Sequence, residues 1–188
     1  MVYHIIRSLV DLFLRIRFRM KVEGAHHIPE GSCILAMNHT SNFDPLMVGT
    51  RTPRKMYIMA KEELFANRFF AWIITEMGAF PIKRGQADLK SLKHSLKILE
   101  EGKIFSIFIE GTRSKTGEMQ EPKKGIGFLV KKSGAPVIPT YVYGAKRGWF
   151  QPAGVVFGPP VTFDDEADYE EIAAQVMESI QQLSRLDR

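Results

Sequence analysis

Six short apolar runs punctuate this chain, and most of the gaps between them carry helical spacing. The runs are "SCILAMN" (32–38), "KMYIMA" (55–60), "GAFPIK" (78–83), "KIFSIFIE" (103–110), "PVIPTYVYG" (136–144) and "AGVVFGPPV" (153–161). A further segment, Arg17 to Glu23, alternates charged and apolar residues with Phe18, Met20 and Val22 on one side, the pattern of a half-exposed strand. Helical patterns fall near 45–52, 62–76, 87–100 and 124–133, with a last one near 168–184. In the helix at 87–100, Leu89, Leu92, Leu96 and Leu99 mark the inward face and His94 falls opposite, towards solvent. Strands alternating with helices predict an α/β domain with a mixed or largely parallel central sheet flanked by helices. No repeat, linker or low-complexity tract interrupts it, so a single domain is expected.

The amino-terminal stretch "MVYHIIRSLVDLFLRIRF" is the most apolar part of the chain. Charges every three or four residues exclude a membrane-spanning helix, which needs about 20 apolar residues. Arg7, Asp11 and the lack of a small-residue cleavage site exclude a secretory signal. His4, Arg7, Asp11 and Arg15 recur at helical spacing as a polar stripe, and Ile5, Ile6, Leu9, Val10, Leu12, Phe13 and Ile16 fill the remaining face. This is an amphipathic helix whose wide apolar face suits either the domain's own core or a membrane interface.

Net charge +5 and a pI near 9.3 point to an anionic partner, whether nucleic acid, an anionic bilayer or a phosphorylated substrate. The one cysteine, Cys33, cannot form an internal disulfide and lies in an apolar run, where a buried inert thiol is expected. No cluster has metal-ligand spacing; His26 and His27 stand together without further ligands nearby.

In α/β sheets functional residues gather beyond the carboxyl ends of strands. Three such loops here are rich in reactive groups: "NHTSNFDP" after the first run, "FPIKRG" (80–85) and "FIEGTRSKTG" (108–117). In the first, Asp44-Pro45 makes a good helix start with Asp44 as the cap. Alternatively, Asp44 holds Nδ1–H of His39 and leaves Nε2 as a general base. In the third, Gly111 permits a tight turn, Arg113 offers a donor fork suited to phosphate, and Thr112 and Ser114 add hydroxyls beside Glu110. Lys83 and Arg84 make the second loop basic as well. Each of these charged groups also has a plainer role as a solvated turn residue, but their convergence on one sheet edge favours a site.

Four blocks in order then resemble the glycerophospholipid acyltransferases: "NHTSNFDP" their N-H-x-x-x-x-D signature, "GAFPIKRG" their second block, "FIEGTRS" their F-P-E-G-T-R-S block, and "VIPTYVYG" their V-I-P block. They span residues 38 to 144, and the likeness is greatest to bacterial 1-acylglycerol-3-phosphate acyltransferases. Ile109 departs from the family's proline, which implies a change in loop stiffness. The short chain is expected to do without the extended amino-terminal membrane domain that some relatives carry.

The resemblance implies acyl transfer from acyl-CoA or acyl-carrier protein to the sn-2 hydroxyl of lysophosphatidic acid, yielding phosphatidic acid. It assigns His39 as general base oriented by Asp44, and Lys83, Arg84, Glu110, Gly111, Thr112, Arg113 and Ser114 to substrate binding, with backbone N–H groups near Gly111 as oxyanion donors. It implies no metal, no organic cofactor and no nucleic-acid partner. Residues 1–16 become a membrane-interface helix, residues 17–188 the acyltransferase domain, and the location the cytoplasmic face of the cell membrane. Residues 64–80, with Phe65, Phe69, Phe70 and Trp72, form either an acyl groove or an ordinary packed helix. Other acceptors such as glycerol-3-phosphate, a serine hydrolase using Ser41 or Ser114, and a non-catalytic anion-binding module are the alternatives.

Overall fold

A computed structural model describes residues 1–82 and 89–186. In chain order the elements are α1 (Val2–Arg17), β1 (Phe18–Glu23), β2 (Cys33–Met37), α2 (Asp44–Arg51), β3 (Met56–Lys61), α3 (Arg68–Glu76), β4 (Ala79–Ile82), α4 (Leu89–Glu100), β5 (Ile104–Phe108), α5 (Gly125–Ser133), β6 (Val137–Tyr143), β7 (Gln151–Phe157) and α6 (Tyr169–Leu186). Among the described residues the strands form one seven-stranded sheet, ordered β1-β7-β6-β2-β5-β3-β4. Every neighbouring pair is parallel except β6–β7. The carboxyl ends of β2, β3, β4, β5 and β6 therefore share one edge with the amino ends of β7 and β1.

The central strand β2 is buried throughout, as its continuous apolar run requires when helices cover both faces. Its alternate residues divide the core: Cys33, Leu35 and Met37 pack with Leu14, Met47 and Val48 beneath α1 and α2. Ile34 and Ala36 pack with Leu99, Leu129 and Val176 beneath α4, α5 and α6. Burial pushes the Cys33 thiol up to about 11, so it stays protonated and inert at neutral pH.

Four expectations are corrected. At the sheet margin β1 buries Phe18 and half-buries Met20 but leaves Val22 exposed, because no helix covers its far end. The pattern near 62–76 splits into a 3-10 turn at Glu62–Phe65 and α3, whose start is set by the Asn67 side chain accepting from Phe70 N–H. No residue of α3 is buried, so it is not an ordinary packed helix. In α4 the buried face carries Ser91, Ser95, Ile98 and Leu99, with Leu92 and Leu96 at its margin. The Ser95 hydroxyl is accommodated there because it donates to the Ser91 carbonyl.

For α1 the sequence leaves both faces of the helix open to burial. Its outward face is the apolar one: Ile5, Leu9, Leu12, Phe13 and Ile16 are all exposed. Arg7 and Asp11 of the polar stripe turn inward with Ile6, Val10 and Leu14. Arg7 Nη2 donates to the carbonyls of Thr50 (2.9 Å) and Thr52 (2.8 Å), which lie at the carboxyl end of α2. A cation there satisfies orphan carbonyls and complements the helix dipole. Asp11 pairs with Arg51, the last residue of α2, and with Arg15. Docking through Leu14 and these charged groups leaves Ile5, Leu9, Leu12 and Ile16 facing outward, while Phe13 at the edge of the stripe meets Phe43 and Trp149.

Candidate active site

Residues 38–44 leave β2 between the ends of β6 and β5, and hydrogen bonds to both strands hold them. Asn38 extends the β2–β6 contact with its side chain, donating to the Val142 carbonyl (2.9 Å) and accepting from Val142 N–H (2.8 Å). The next residue is gripped by its backbone. His39 N–H donates to Glu110 Oε1 at 2.8 Å, and the His39 carbonyl accepts from Ser114 N–H at 2.8 Å. Glu110 is buried, and its other oxygen accepts from Gln120 N–H at 3.0 Å. The loop after β5 thus acts as a clamp on the loop after β2.

Within this clamp the imidazole of His39 lies 3.0 Å from Asp44 through Nδ1. A carboxylate only accepts, so Nδ1 is the donor in this pair and Nε2 is the nitrogen left to face a substrate. Nε2 has no protein partner among the described residues, yet it is not sealed from solvent. The ring stacks on Phe108, centroids 3.7 Å apart and planes 16° from parallel, which fixes its orientation. The arrangement presents an imidazole held at one edge by Asp44 and on one face by Phe108.

Asp44 does this without capping α2 by its side chain. Its Oδ2 accepts backward, from Thr40 N–H (2.6 Å) and Ser41 N–H (2.7 Å) as well as from His39, and Phe43 takes the cap position without a side-chain bond. Pro45 still sits in the first turn of the helix, where a missing N–H costs nothing. The carboxylate is completely buried, and its Oδ1 is left unpaired. A buried carboxyl group with one orphan oxygen is costly to keep, which marks the loop as built around the histidine rather than around the helix start.

The sequence-derived residues divide into two groups. Glu110 and Ser114 are buried and hold the loop; the Ser114 hydroxyl accepts from Gly117 N–H at 3.0 Å. Gly111 adopts φ +72°, the left-handed turn that lets the chain reverse after β5, and its N–H is spent on the Phe108 carbonyl at 3.0 Å. Arg113 and Thr112 face solvent. Arg113 Nη1 donates to Asn42 Oδ1 at 2.8 Å, so the guanidinium stands over the His39 loop with further donors to offer. Lys83 and Arg84 lie outside the described residues; β4 ends at Ile82 on the same sheet edge. Ser41 is no freer than Ser114: its hydroxyl meets the Ala145 carbonyl (3.3 Å) and accepts from Phe43 N–H (3.2 Å). Neither serine hydroxyl is bonded to the His39 imidazole, so a serine nucleophile activated by this base is not assembled.

Asn38, Asn42 and Phe108 are parts of the site that the sequence reading did not single out. Asn38 had one available signal, an amide side chain closing a fully apolar strand. Ile109 in turn donates its N–H to the Met37 carbonyl at 3.2 Å, a ladder bond that a proline could not make. An open cleft of about 550 Å³ between Met119, Tyr143, Lys146 and Arg185 reaches Thr40 but is not lined by His39, Asp44 or Arg113.

A family model for acyltransferases matches residues 19–143, which include all of these loops. The chain is 30% identical over 148 residues to 1-acyl-sn-glycerol-3-phosphate acyltransferase of Bacillus subtilis, an alignment covering 78% of this chain and 73% of that one. It is 31% identical over 159 residues to the enzyme of the same name from Pseudomonas aeruginosa, covering 79% and 61%. Among solved structures, the 1-acyl-sn-glycerophosphate acyltransferase PlsC of Thermotoga maritima superimposes with a TM-score of 0.80 at 22% identity, over 98% of this chain and 79% of that one, a likeness of fold. With the family's matched segment carrying a locked His–Asp pair at its expected place, this chain belongs to the acyltransferase family.

Proposed function

We propose that this protein transfers a fatty acyl group from an acyl thioester to the sn-2 hydroxyl of 1-acylglycerol-3-phosphate. The observation that carries the reading is the buried His39–Asp44 pair with Nε2 unpartnered at a sheet edge that also bears Arg113. The names of the relatives supply the substrate class. Nε2 takes the proton of the attacking hydroxyl as its oxygen adds to the thioester carbonyl. The tetrahedral intermediate then expels the thiolate, and the imidazolium returns the proton to sulfur. Asp44 stabilises the imidazolium between these steps, and proton transfer of this kind is worth about 10²–10⁴ in rate. The attack is direct, so no acyl-enzyme forms.

Arg113 binds the acceptor's phosphate, with Thr112 as a hydroxyl donor beside it. Lys83 and Arg84 are assigned to the same phosphate on the family likeness of their block. Glu110, Gly111 and Ser114 serve by shaping the loop that presents Arg113 and grips His39. Both substrates carry long acyl chains, which suits the exposed apolar face of α1 to a membrane surface and the exposed Phe69, Phe70 and Trp72 of α3 to acyl chains. Among the described residues no helix is long and apolar enough to cross a membrane. Residues 1–16 are accordingly a surface anchor on the acyltransferase domain at 17–188, with the cytoplasmic face as the side where thioester donors are made.

The deciding assay offers the purified chain labelled acyl-CoA or acyl-carrier protein with 1-acylglycerol-3-phosphate, glycerol-3-phosphate or monoacylglycerol. Label is expected in phosphatidic acid, with monoacylglycerol at least about tenfold poorer because it lacks the phosphate. Label released as free fatty acid regardless of acceptor would replace transfer by hydrolysis.

A further inference from the structure

The hairpin loop between β6 and β7, residues 144–150, projects two aromatic side chains that stay more than half exposed. Trp149 is 55% exposed and Phe150 is 65% exposed. Phe150 also holds φ +61°, among the described residues the one non-glycine position with positive φ. A bulky residue in the left-handed region is strained, and a glycine would relieve it. Strain retained at an exposed aromatic calls for a use outside the fold.

The loop is braced rather than loose. Arg17, the last residue of α1, donates through Nη1 to the Gly148 carbonyl (2.5 Å) and through Nη2 to the Arg147 carbonyl (2.8 Å), while Phe150 N–H donates to the Arg17 carbonyl (3.0 Å). The same guanidinium lies 5.0 Å from the centroid of Trp149. Trp149 meets Phe13 edge-on with centroids 6.2 Å apart, so the loop tip continues the exposed stripe of α1. Arg15 and Arg19, two residues either side of Arg17, and Arg147 of the loop itself are exposed and make the neighbouring chain basic. An apolar centre with basic neighbours matches anionic headgroups above acyl chains, and tryptophan favours that interface.

We propose that Trp149 and Phe150 form a rigid aromatic wedge that enters an anionic phospholipid bilayer beside α1 and sets the height of the active site above it. The proposal rests on reading α1 as a membrane-surface helix. It adds a second, independent contact and a link to the chemistry. Residues of the same loop touch both catalytic segments: Ser41 Oγ donates to the Ala145 carbonyl, and Lys146 Nζ donates to the carbonyls of Ser114 (3.1 Å) and Lys115 (3.2 Å). Two rigid contacts fix an orientation, where one helix alone leaves the domain free to roll about its axis.

The test uses the full chain with vesicles of phosphatidylethanolamine and phosphatidylglycerol. In a Trp72→Phe background Trp149 becomes the sole tryptophan. Its emission should shift to the blue on adding vesicles and be quenched by lipid brominated in the acyl chain. Phe150→Gly should weaken vesicle binding about tenfold, the worth of one buried phenylalanine side chain, while the melting temperature holds or rises because glycine accepts the local φ. Unmoved emission, together with parental binding by Phe150→Gly, would overturn the wedge. If Leu9→Ser with Leu12→Ser released the chain from vesicles in that case, the α1 reading would stand alone. Failure of the parent chain to bind vesicles would remove both. A blue shift that follows protein concentration without lipid would assign the patch to a second copy of the chain and overturn the bilayer.

Discussion

At the carboxyl end of β2 the buried side chains are polar, whereas on α1 and the 144–150 loop the exposed side chains are apolar. His39, Asp44, Glu110 and Ser114 are each at most 7% exposed, while Leu9, Leu12, Trp149 and Phe150 are each more than half exposed. Both regions break the usual burial rule, and exceptions of that kind are the informative ones. The first resolves its conflict inside the chain, because nearly every buried polar atom finds a partner across the β2 and β5 loops. The second stays exposed, since α1 docks through Leu14, Arg7 and Asp11 and turns Leu9 and Leu12 away. The buried polar loop is thereby built for precise geometry, and the exposed apolar rim is built to meet something outside the protein.

Changes in the polar loop should carry the largest effects. Asp44→Ala removes the acceptor for His39 Nδ1–H and for two amides, so turnover should fall by about 10²–10⁴. Stability should fall too, by about 1–3 kcal/mol for each donor left buried and unpaired. Steady-state kinetics and thermal melting of the same preparation check both. Asp44→Asn should fold better than the alanine variant but remain impaired, because its amide can present a donor where His39 needs an acceptor.

A core helix supplies the contrast for α1. α6 is also amphipathic but buries its apolar stripe, including Ile180 at 0% exposure. Ile180→Ala should cost about 2–5 kcal/mol by denaturant unfolding. Leu9→Ser with Leu12→Ser should stay within about 0.5 kcal/mol per site, yet release the protein from anionic vesicles. A large stability loss in that pair would return α1 to the role of a core element.

Arg113→Ala separates binding from chemistry. It should raise KM for lysophosphatidic acid about tenfold to hundredfold and leave KM for the acyl thioester little changed. The smallest effect within the polar loop belongs to Ser114→Ala, about 0.5–1.5 kcal/mol of stability and little activity, because the Ser114 amide rather than its hydroxyl holds His39. Glu110→Ala should be far worse than Ser114→Ala, as it strands both His39 N–H and Gln120 N–H. Equal losses at Ser114 and Arg113 would instead place the serine hydroxyl on substrate.

The sheet and the site are legible in the chain to different depths. Apolar runs between helical patterns are enough for an α/β sheet, because two covered faces demand continuous burial in a central strand such as β2. The N-H-x-x-x-x-D spacing alone leaves Asp44 as cap or partner, and it is the four blocks in family order that pair it with His39. Which way an amphipathic helix faces is a different matter: periodicity shows two stripes on α1 but cannot say that Arg7 will find carbonyls at the end of α2. Nor can local sequence show that Asp44 bonds backward to Thr40 and Ser41 instead of capping α2, since an Asp-Pro pair is compatible with both. Glu110 and Ser114 read alike as polar loop residues; only the fold, which brings β5 beside β2, shows that they grip the backbone of His39.

The central claim is that His39 is the proton acceptor in acyl transfer, held ready by Asp44. Its most direct test compares turnover of His39→Ala with that of the parent on detergent-dispersed 1-acylglycerol-3-phosphate and a saturating acyl thioester, with melting curves recorded on the same samples. The account predicts turnover lower by at least about 10², a melting temperature changed by only a few degrees, and retained binding of both substrates. Near-parental turnover by the folded variant, with phosphatidic acid as product, would contradict it.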